Sequence, residues 1–386
     1  MFPTLSYFLY YLTGIHMILP VPTFGFMMAL AFAGAYITFR SEYRRKERQG
    51  FVRAWVAGPG PAASTKVLTW GLVGFFAGAK AGYLVLNRSF YTGSLRDVLF
   101  SSKGSLAWGL VLGAAAVGLG LLAGAGRRPI PETREPIPET RLVHPYELMD
   151  TLLFYCGVFG LAGAIIFAKL EYTGGFWAHP LEWLFTYNGL SYYGALIFGA
   201  TTYLFINYRH HIRLAVAADT GSPGMMLAYG IGRMGCHLAG DGDWGIVNLY
   251  PKPTWLAWAP DWVWSFRFPH NVIHEGAFIP GCVDNYCSVL VQPVYPTSFY
   301  ESILCLLLFG VLWGVRGKIR QPGLMFAVYA LLNGTERFFI EFIKINPKYA
   351  LGGLDLSQAQ WIALGWIGIG IGIGTWVMVK IKKTDQ

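Results

Sequence analysis

The sequence predicts an all-α integral membrane protein of about nine transmembrane helices, with the N-terminus outside, the C-terminus inside and a partial parallel internal repeat. Three observations carry that prediction. Hydrophobic residues make up 54% of the 386 positions and charged residues only 13%, where a soluble domain carries about 25% charge. Apolar runs of spanning length recur along the chain, and the basic residues between them fall in alternate connections.

Runs near 15–39, 67–87, 105–126, 151–170, 189–208, 220–240, 298–315, 323–344 and 359–380 are each long enough to span a bilayer, for which about 20 residues suffice. Arg40, Arg44, Arg45, Lys46, Arg48, Arg53 and Lys66 fill the first connection, and Arg127, Arg128, Arg134 and Arg141 the third. Arg209 and Arg213 fall in the fifth, Arg316, Lys318 and Arg320 in the seventh, and Lys380, Lys382 and Lys383 in the tail. The intervening connections hold only Arg88, Arg96, Lys103, Lys252, Arg267 and Lys348. This is the positive-inside pattern, and it requires an odd number of spans. The net charge of +9 is therefore a matter of orientation and does not point to nucleic acid, so the expected surrounding partner is the lipid bilayer. The 14 Trp and 22 Tyr residues suit two interfacial belts. Met1–Pro20 lacks a basic n-region and a small-residue cleavage site, so no cleavable signal peptide is expected.

Residues 1–386 are read as one polytopic membrane domain with three features of its own. Leu99-Phe100, Gly104 and Trp108-Gly109 recur as Leu184-Phe185, Gly189 and Tyr193-Gly194, and the run ending at Lys80 parallels the run ending at Lys169. Residues 67–126 thus form a two-span insertion resembling 151–208. The stretch 129–141 contains PIPET twice; its prolines disfavour helix and strand, which makes it a cytoplasmic linker. The longest outer connection, 246–297, is rich in Trp and Pro and reads as a periplasmic loop or lid resting on the membrane interface. Its Cys282 and Cys287 would pair in an oxidising compartment, or make half of a metal site that no second pair completes.

Chemistry concentrates in four places. The first is Ala228–Gly245, where Arg233, His237, Asp241 and Asp243 stand among glycines. Ionisable groups at membrane depth need partners, water or a task, and a guanidinium fork suits phosphate or carboxylate. Asp241 and Asp243 are each placed to pair with Arg233. The second is 336–344, where helical spacing puts Arg337, Glu341 and Lys344 on one face, as a self-paired stripe or as the lining of a cleft. The third is Gly189–Gly199, a small-residue helix face with Tyr192 and Tyr193 at its outer end. The fourth, 295–302, reads locally as a helix start capped by Thr297 or Ser298, with Tyr300 and Glu301 in its first turn. The histidines outside the first place have no metal-like or triad-like spacing, and no metal site is expected.

Together, in this order, the four places resemble the signature segments of the prolipoprotein diacylglyceryl transferase family. The likeness covers roughly 150–380, with Val21–Arg40 as a first span. The resemblance implies a multi-pass enzyme of the bacterial cytoplasmic membrane, with its site toward the outer leaflet and no cofactor. That family transfers the diacylglyceryl group of phosphatidylglycerol to the lipobox cysteine thiol in the signal peptide of a preprolipoprotein. A thioether forms and glycerol-1-phosphate leaves. Arg233 and Arg337 match the family's functional arginines, and Asp241 stands where the family has glutamate. Tyr193 and His237 are the further candidates for catalysis. Gly194, Gly235, Cys236, Asp243, Tyr300, Glu301, Glu341 and Lys344 fall in segments implied to bind substrate. The departures are Tyr193 for histidine, Cys236 for asparagine, Phe24 and Asn333 for tyrosines and Lys344 for arginine. The competing reading is a lipid-binding or transport homologue that kept the anion site and lost transfer.

Overall fold

A computed structural model of the chain describes residues 1–15, 21–57, 71, 74–81, 83, 108–109, 111–113, 115–116, 141–171, 191–351 and 353–384. In chain order its helices are α1 (Leu5–Thr13), α2 (Thr23–Arg48), α3 (Met149–Glu171), α4 (Tyr192–Arg209), α5 (Leu214–Ala239), α6 (Thr297–Val315), α7 (Leu324–Ile340) and α8 (Gln358–Thr384). Among the described residues, four helical stretches are long and apolar enough to cross a membrane: Thr23–Arg48, Pro145–Leu170, Thr297–Val315 and Gln358–Lys382. The protein is an all-α membrane protein. Among the described residues, strands are confined to three two-stranded pairs. The expected insertion at 67–126 lies mostly outside the described residues, and the linker at 129–141 almost wholly so.

The chain divides into two compact units, Met1–Val52 with Leu204–Gln386, and Arg53–Tyr203. In the second unit β1 (Trp55–Ala57) pairs antiparallel with β2 (Arg141–Val143). There α3 and the start of α4 touch through glycine. A Cβ added to Gly194 would lie 2.1 Å from the Gly163 carbonyl oxygen and 2.6 Å from Phe167 Cβ. Small residues of this kind let helix backbones approach in the absence of a hydrophobic driving force between them.

In the first unit α5 is central: it packs against α2, α6 and α7, and α7 packs in turn against α8. Met226 on α5, Cys305 and Leu312 on α6 and Met325 on α7 form a fully buried apolar cluster. Gly235 lets α5 lie on α2, since a Cβ there would come within 2.9 Å of Met27 Cβ. Around the starts of α5 and α7 the contacts are polar. Asp219, fully buried, accepts hydrogen bonds from the N–H groups of Gly323 and Phe326 at 2.9 Å each. A carboxylate from another helix thus caps the N-terminus of α7, where the helix dipole favours negative charge. The buried Lys46 ammonium lies 3.6 Å from the same carboxylate. Glu42, one turn earlier on α2, holds Arg45 at 2.6 Å and Arg316 at 3.6 Å.

The connection at 246–297 is ordered around its own core of Phe268, Leu290 and Val294, with Trp244. It holds two 3-10 turns, Thr254–Leu256 and Asp261–Val263, and a short antiparallel pair, β3 (Ala277–Phe278) with β4 (Ser288–Val289). Cys282 and Cys287 are joined by a disulfide. The expected single helical face through Lys344 is corrected: α7 stops at Ile340, Glu341–Ile343 is a 3-10 turn and Lys344 is extended. The reason is tertiary. Ile246 N–H donates to the Ile343 carbonyl at 2.9 Å, and Gly245 bridges to Lys344, drawing the chain out of the helix. Beyond it β5 (Lys348–Leu351) and β6 (Leu354–Ser357) form a hairpin that leads into α8.

Asp219→Ala leaves Lys46 buried without its carboxylate and two helix N–H groups without an acceptor, a loss of about 3–5 kcal/mol. Its melting temperature in detergent micelles is therefore expected well below that of the wild type, and equal melting would refute this cap.

Candidate active site

The C-terminal end of α5 with the turn after it, the start of α6, the end of α7 and the segment after it bring six charged groups of the first unit together. Glu301, on the second turn of α6 and fully buried, is at their centre. Arg337 Nη1 donates to Glu301 Oε1 at 2.6 Å, Lys344 Nζ lies 3.0 Å from Oε2 and Arg233 Nε lies 3.3 Å from Oε2. Three cations from three segments share one carboxylate.

Each cation has a second partner. Arg233 Nη1 donates to Asp243, and Lys344 Nζ donates to the other oxygen of that carboxylate at 2.5 Å. Arg337 Nη2 lies 3.2 Å from Glu341 Oε2. Glu341 in turn accepts from Ser357 Oγ at 2.8 Å and from the Asn346 amide. Ser357 also begins α8: its hydroxyl accepts the Gln360 N–H at 3.2 Å, while its own N–H donates to Gln360 Oε1 at 3.0 Å. That is a capping box whose cap residue also holds a site carboxylate. Behind Arg233 the Tyr229 ring lies 4.9 Å from the guanidinium carbon, and the Tyr229 hydroxyl donates to Glu301 at 3.4 Å.

Glu301 and Lys344 are closed off from the surface, whereas Arg233 and Arg337 keep 18% and 23% of their side-chain surface exposed. The network therefore anchors the two forks from behind and leaves part of each uncovered. Such forks fit the paired oxygens of a phosphate or carboxylate.

The remaining sequence-predicted residues fall in several roles. Asp243, and not Asp241, pairs with Arg233; Asp241 instead accepts the Asp243 N–H at 3.3 Å, turning the chain into place. The expected side-chain cap at Thr297 or Ser298 does not form: Pro296 is the cap position, and the Thr297 hydroxyl donates to the Asp243 carbonyl at 3.3 Å. Tyr300 donates to the Val263 carbonyl at 2.6 Å, fastening α6 to the 246–297 connection. His237 is buried among the rings of Trp262, Phe266, Phe268 and Phe299, with centroids 5.4–6.0 Å away. Cys236 is half-buried on α5 beside Gly235. Tyr193 and Gly194 belong to the second unit, whereas the cluster is made of the first alone. Sequence reasoning passed over Tyr229, Glu336, Asn346 and Ser357; only Glu336 carried a signal, as a charge within an apolar run.

Fold and site together define an all-α membrane protein with a buried, multiply paired arginine site. The family model for prolipoprotein diacylglyceryl transferase matches residues 132–376, and the chain belongs to this family of transferases, which act in lipoprotein biosynthesis. A phosphatidylglycerol–prolipoprotein diacylglyceryl transferase of Dehalococcoides mccartyi is 30% identical over 249 residues, covering 61% of this chain and 81% of the relative. The enzyme of the same name from Bordetella avium is 27% identical over 224 residues, 57% of this chain and 73% of its own. That from Corynebacterium glutamicum is 30% identical over 174 residues, 45% and 50%. The family match takes in α3 to α7 and most of α8 and leaves α2 outside.

Asp243 lies beyond the end of α5. Burial opposes its charge, but Arg233 and Lys344 outweigh that and hold its carboxyl below the usual range. A carboxylate whose pKa falls on folding contributes stability in full above its unfolded value of about 3.9 and loses it as pH falls through the lower folded value. The melting temperatures of wild type and Asp243→Asn should thus differ by a constant gap between about pH 5 and 8, closing only below about pH 4. A gap that closes near neutrality would assign the contribution to another group.

Proposed function

We propose that this chain transfers the diacylglyceryl group of phosphatidylglycerol to the lipobox cysteine thiol of preprolipoproteins, forming a thioether and releasing glycerol-1-phosphate. The observation that carries the reading is the pair of part-exposed guanidiniums of Arg233 and Arg337 anchored on one buried carboxylate. The donor headgroup is anionic and the leaving group is a phosphate monoester. Fixed donors aimed at that phosphate stabilise the charge that grows on it as the carbon–oxygen bond breaks, and need no reorganisation at that moment. Glu301, Asp243 and Glu341 hold the forks in place, and Lys344 completes the charge balance of three cations against three carboxylates. Relatives that carry this activity in their names support the reading.

The chain then crosses the bacterial cytoplasmic membrane about nine times, C-terminus inside, with the site toward the outer leaflet. The distribution of Lys and Arg supports this, as does the disulfide in the 246–297 connection, since such bonds persist in oxidising compartments. That connection forms the periplasmic covering of the site, tied to α6 through Tyr300. Residues 67–126 duplicate the 151–208 unit and add two spans without chemistry of their own. In support, Gly109 fits against Phe75 in the first copy much as Gly194 fits against Gly163 and Phe167 in the second.

Purified protein in phosphatidylglycerol micelles should add one diacylglyceryl mass to a lipobox peptide. Lipid retained with no mass added would sink the reading in favour of a lipid-binding homologue. Arg233→Lys keeps the charge and loses the fork; transfer should fall by about a hundredfold or more with melting little changed. Full activity in that variant would remove the phosphate role from Arg233.

A further inference from the structure

The charge count of the site leaves one group over. Among the described residues Asp243, Glu301 and Glu341 each hold at least one cation within 3.2 Å. Glu336 is as deeply placed, with 4% of its surface exposed, yet neither of its carboxyl oxygens has a hydrogen-bond partner. Its neighbour in sequence, Arg337, points about 100° further round α7 and is taken up by Glu301 and Glu341. Glu336 nevertheless lies within electrostatic reach of all three cations of the cluster and of Glu301. Glu301 and Cys305 bear on it from α6, Tyr229 and Arg233 from α5, Arg337 from its own helix, and Lys344 from the segment beyond. An unpaired buried carboxyl costs several kcal/mol to maintain, and such groups concentrate where protons are moved.

Transfer to a thiol needs a group that takes the thiol proton, because a free thiol ionises at about pH 8.5. Among the other candidates in this unit, Asp243, Glu301 and Glu341 are bound to cations, Asp241 accepts the Asp243 N–H, and His237 is enclosed by aromatic rings. We propose that Glu336 is the proton acceptor of the reaction. This rests on the transfer reading above. As the acceptor sulfur forms its bond to the glycerol carbon, its proton passes to a Glu336 oxygen. The carbon–oxygen bond to phosphate breaks with its electron pair moving to the phosphate, held by Arg233 and Arg337. The proton then leaves Glu336 for the departing phosphate monoester, and the carboxylate is restored. No oxidant, metal or further reactant is required.

The test is the Glu336→Gln variant in phosphatidylglycerol micelles, assayed with a lipobox peptide and with the same peptide carrying selenocysteine, whose selenol is already ionised at neutral pH. General acid–base catalysis is worth about a hundred- to ten-thousandfold. With cysteine, kcat should fall by that range while KM for phosphatidylglycerol is unchanged, and the rate should rise with pH as the thiol ionises by itself. With selenocysteine the variant should recover to within about tenfold of the wild type. A variant with unchanged kcat and pH profile overturns the inference. So does one that is equally slow with both acceptors, which is the mark of a structural role. If the glutamine variant does not fold, Glu336→Asp carries the test: its pH profile must shift, and an unshifted profile overturns the assignment. No transfer by the wild-type protein, with either acceptor, overturns the transfer reading itself and this inference with it.

Discussion

A carboxylate with no exposed surface, shared by two arginines and a lysine, is costly to assemble. Each ion loses its hydration on burial, and only close, multiple pairing returns that energy. Glu301 meets this condition because its three cations come from α5, from α7 and from the segment beyond α7, at 2.6–3.3 Å. The remainder of the site follows from that demand. The third cation cannot arrive while 336–344 stays helical, so the chain leaves α7 at Ile340 and pairs with Gly245 to bring Lys344 inward. Asp243 and Glu341 then take the donors that Glu301 cannot accept.

Much of this was legible in the sequence. Hydropathy marks α2, α3, α6 and α8 because each is a long apolar run; the structure gives α3, α6 and α8 close to those bounds, whereas α2 (Thr23–Arg48) begins and ends well after the run at 15–39. Arg233, Arg337 and Glu341 were legible as charges that an apolar setting does not tolerate without a reason, whereas Glu301 read locally as part of a helix start. The i, i+4 spacing of Arg337 and Glu341 became a real pair at 3.2 Å. What the sequence hid depends on partners distant along the chain. Nothing near Asp219 announces that Lys46 and the N–H groups of Gly323 and Phe326 will meet it. Thr297 and Ser298 carry the composition of a cap, but a loop carbonyl outbids that local role for Thr297. The helical propensity through Phe342 is unbroken, and only the strand-like contact with Ile246 ends it.

His237 illustrates a different limit. A histidine one helical turn beyond Arg233 suggests proton transfer; in the structure it stands among four aromatic rings that join the 246–297 connection to α5 and α6. Glu336 is the reverse case. In sequence it looks like half of a simple Glu–Arg neighbour pair, and in space its carboxyl is left alone while Arg337 goes elsewhere. Local sequence supplies the charge, but the direction of the side chain around the helix decides its company.

The cap that Asp219 places on α7 also acts as a common origin for two rulers. Arg233 stands about fourteen residues along α5 from Asp219, and Arg337 about fourteen along α7 from Gly323, each a rise of about 21 Å. Two helices pinned together at one point and measured off equally deliver their guanidiniums to the same height. The coincidence of the two forks is thus a matter of counting, preserved by any substitution that keeps the helices intact and disturbed by adding or removing a single residue along either arm. The two-arginine cluster is in this sense specified from the opposite ends of its helices, by a carboxylate that is itself fully buried.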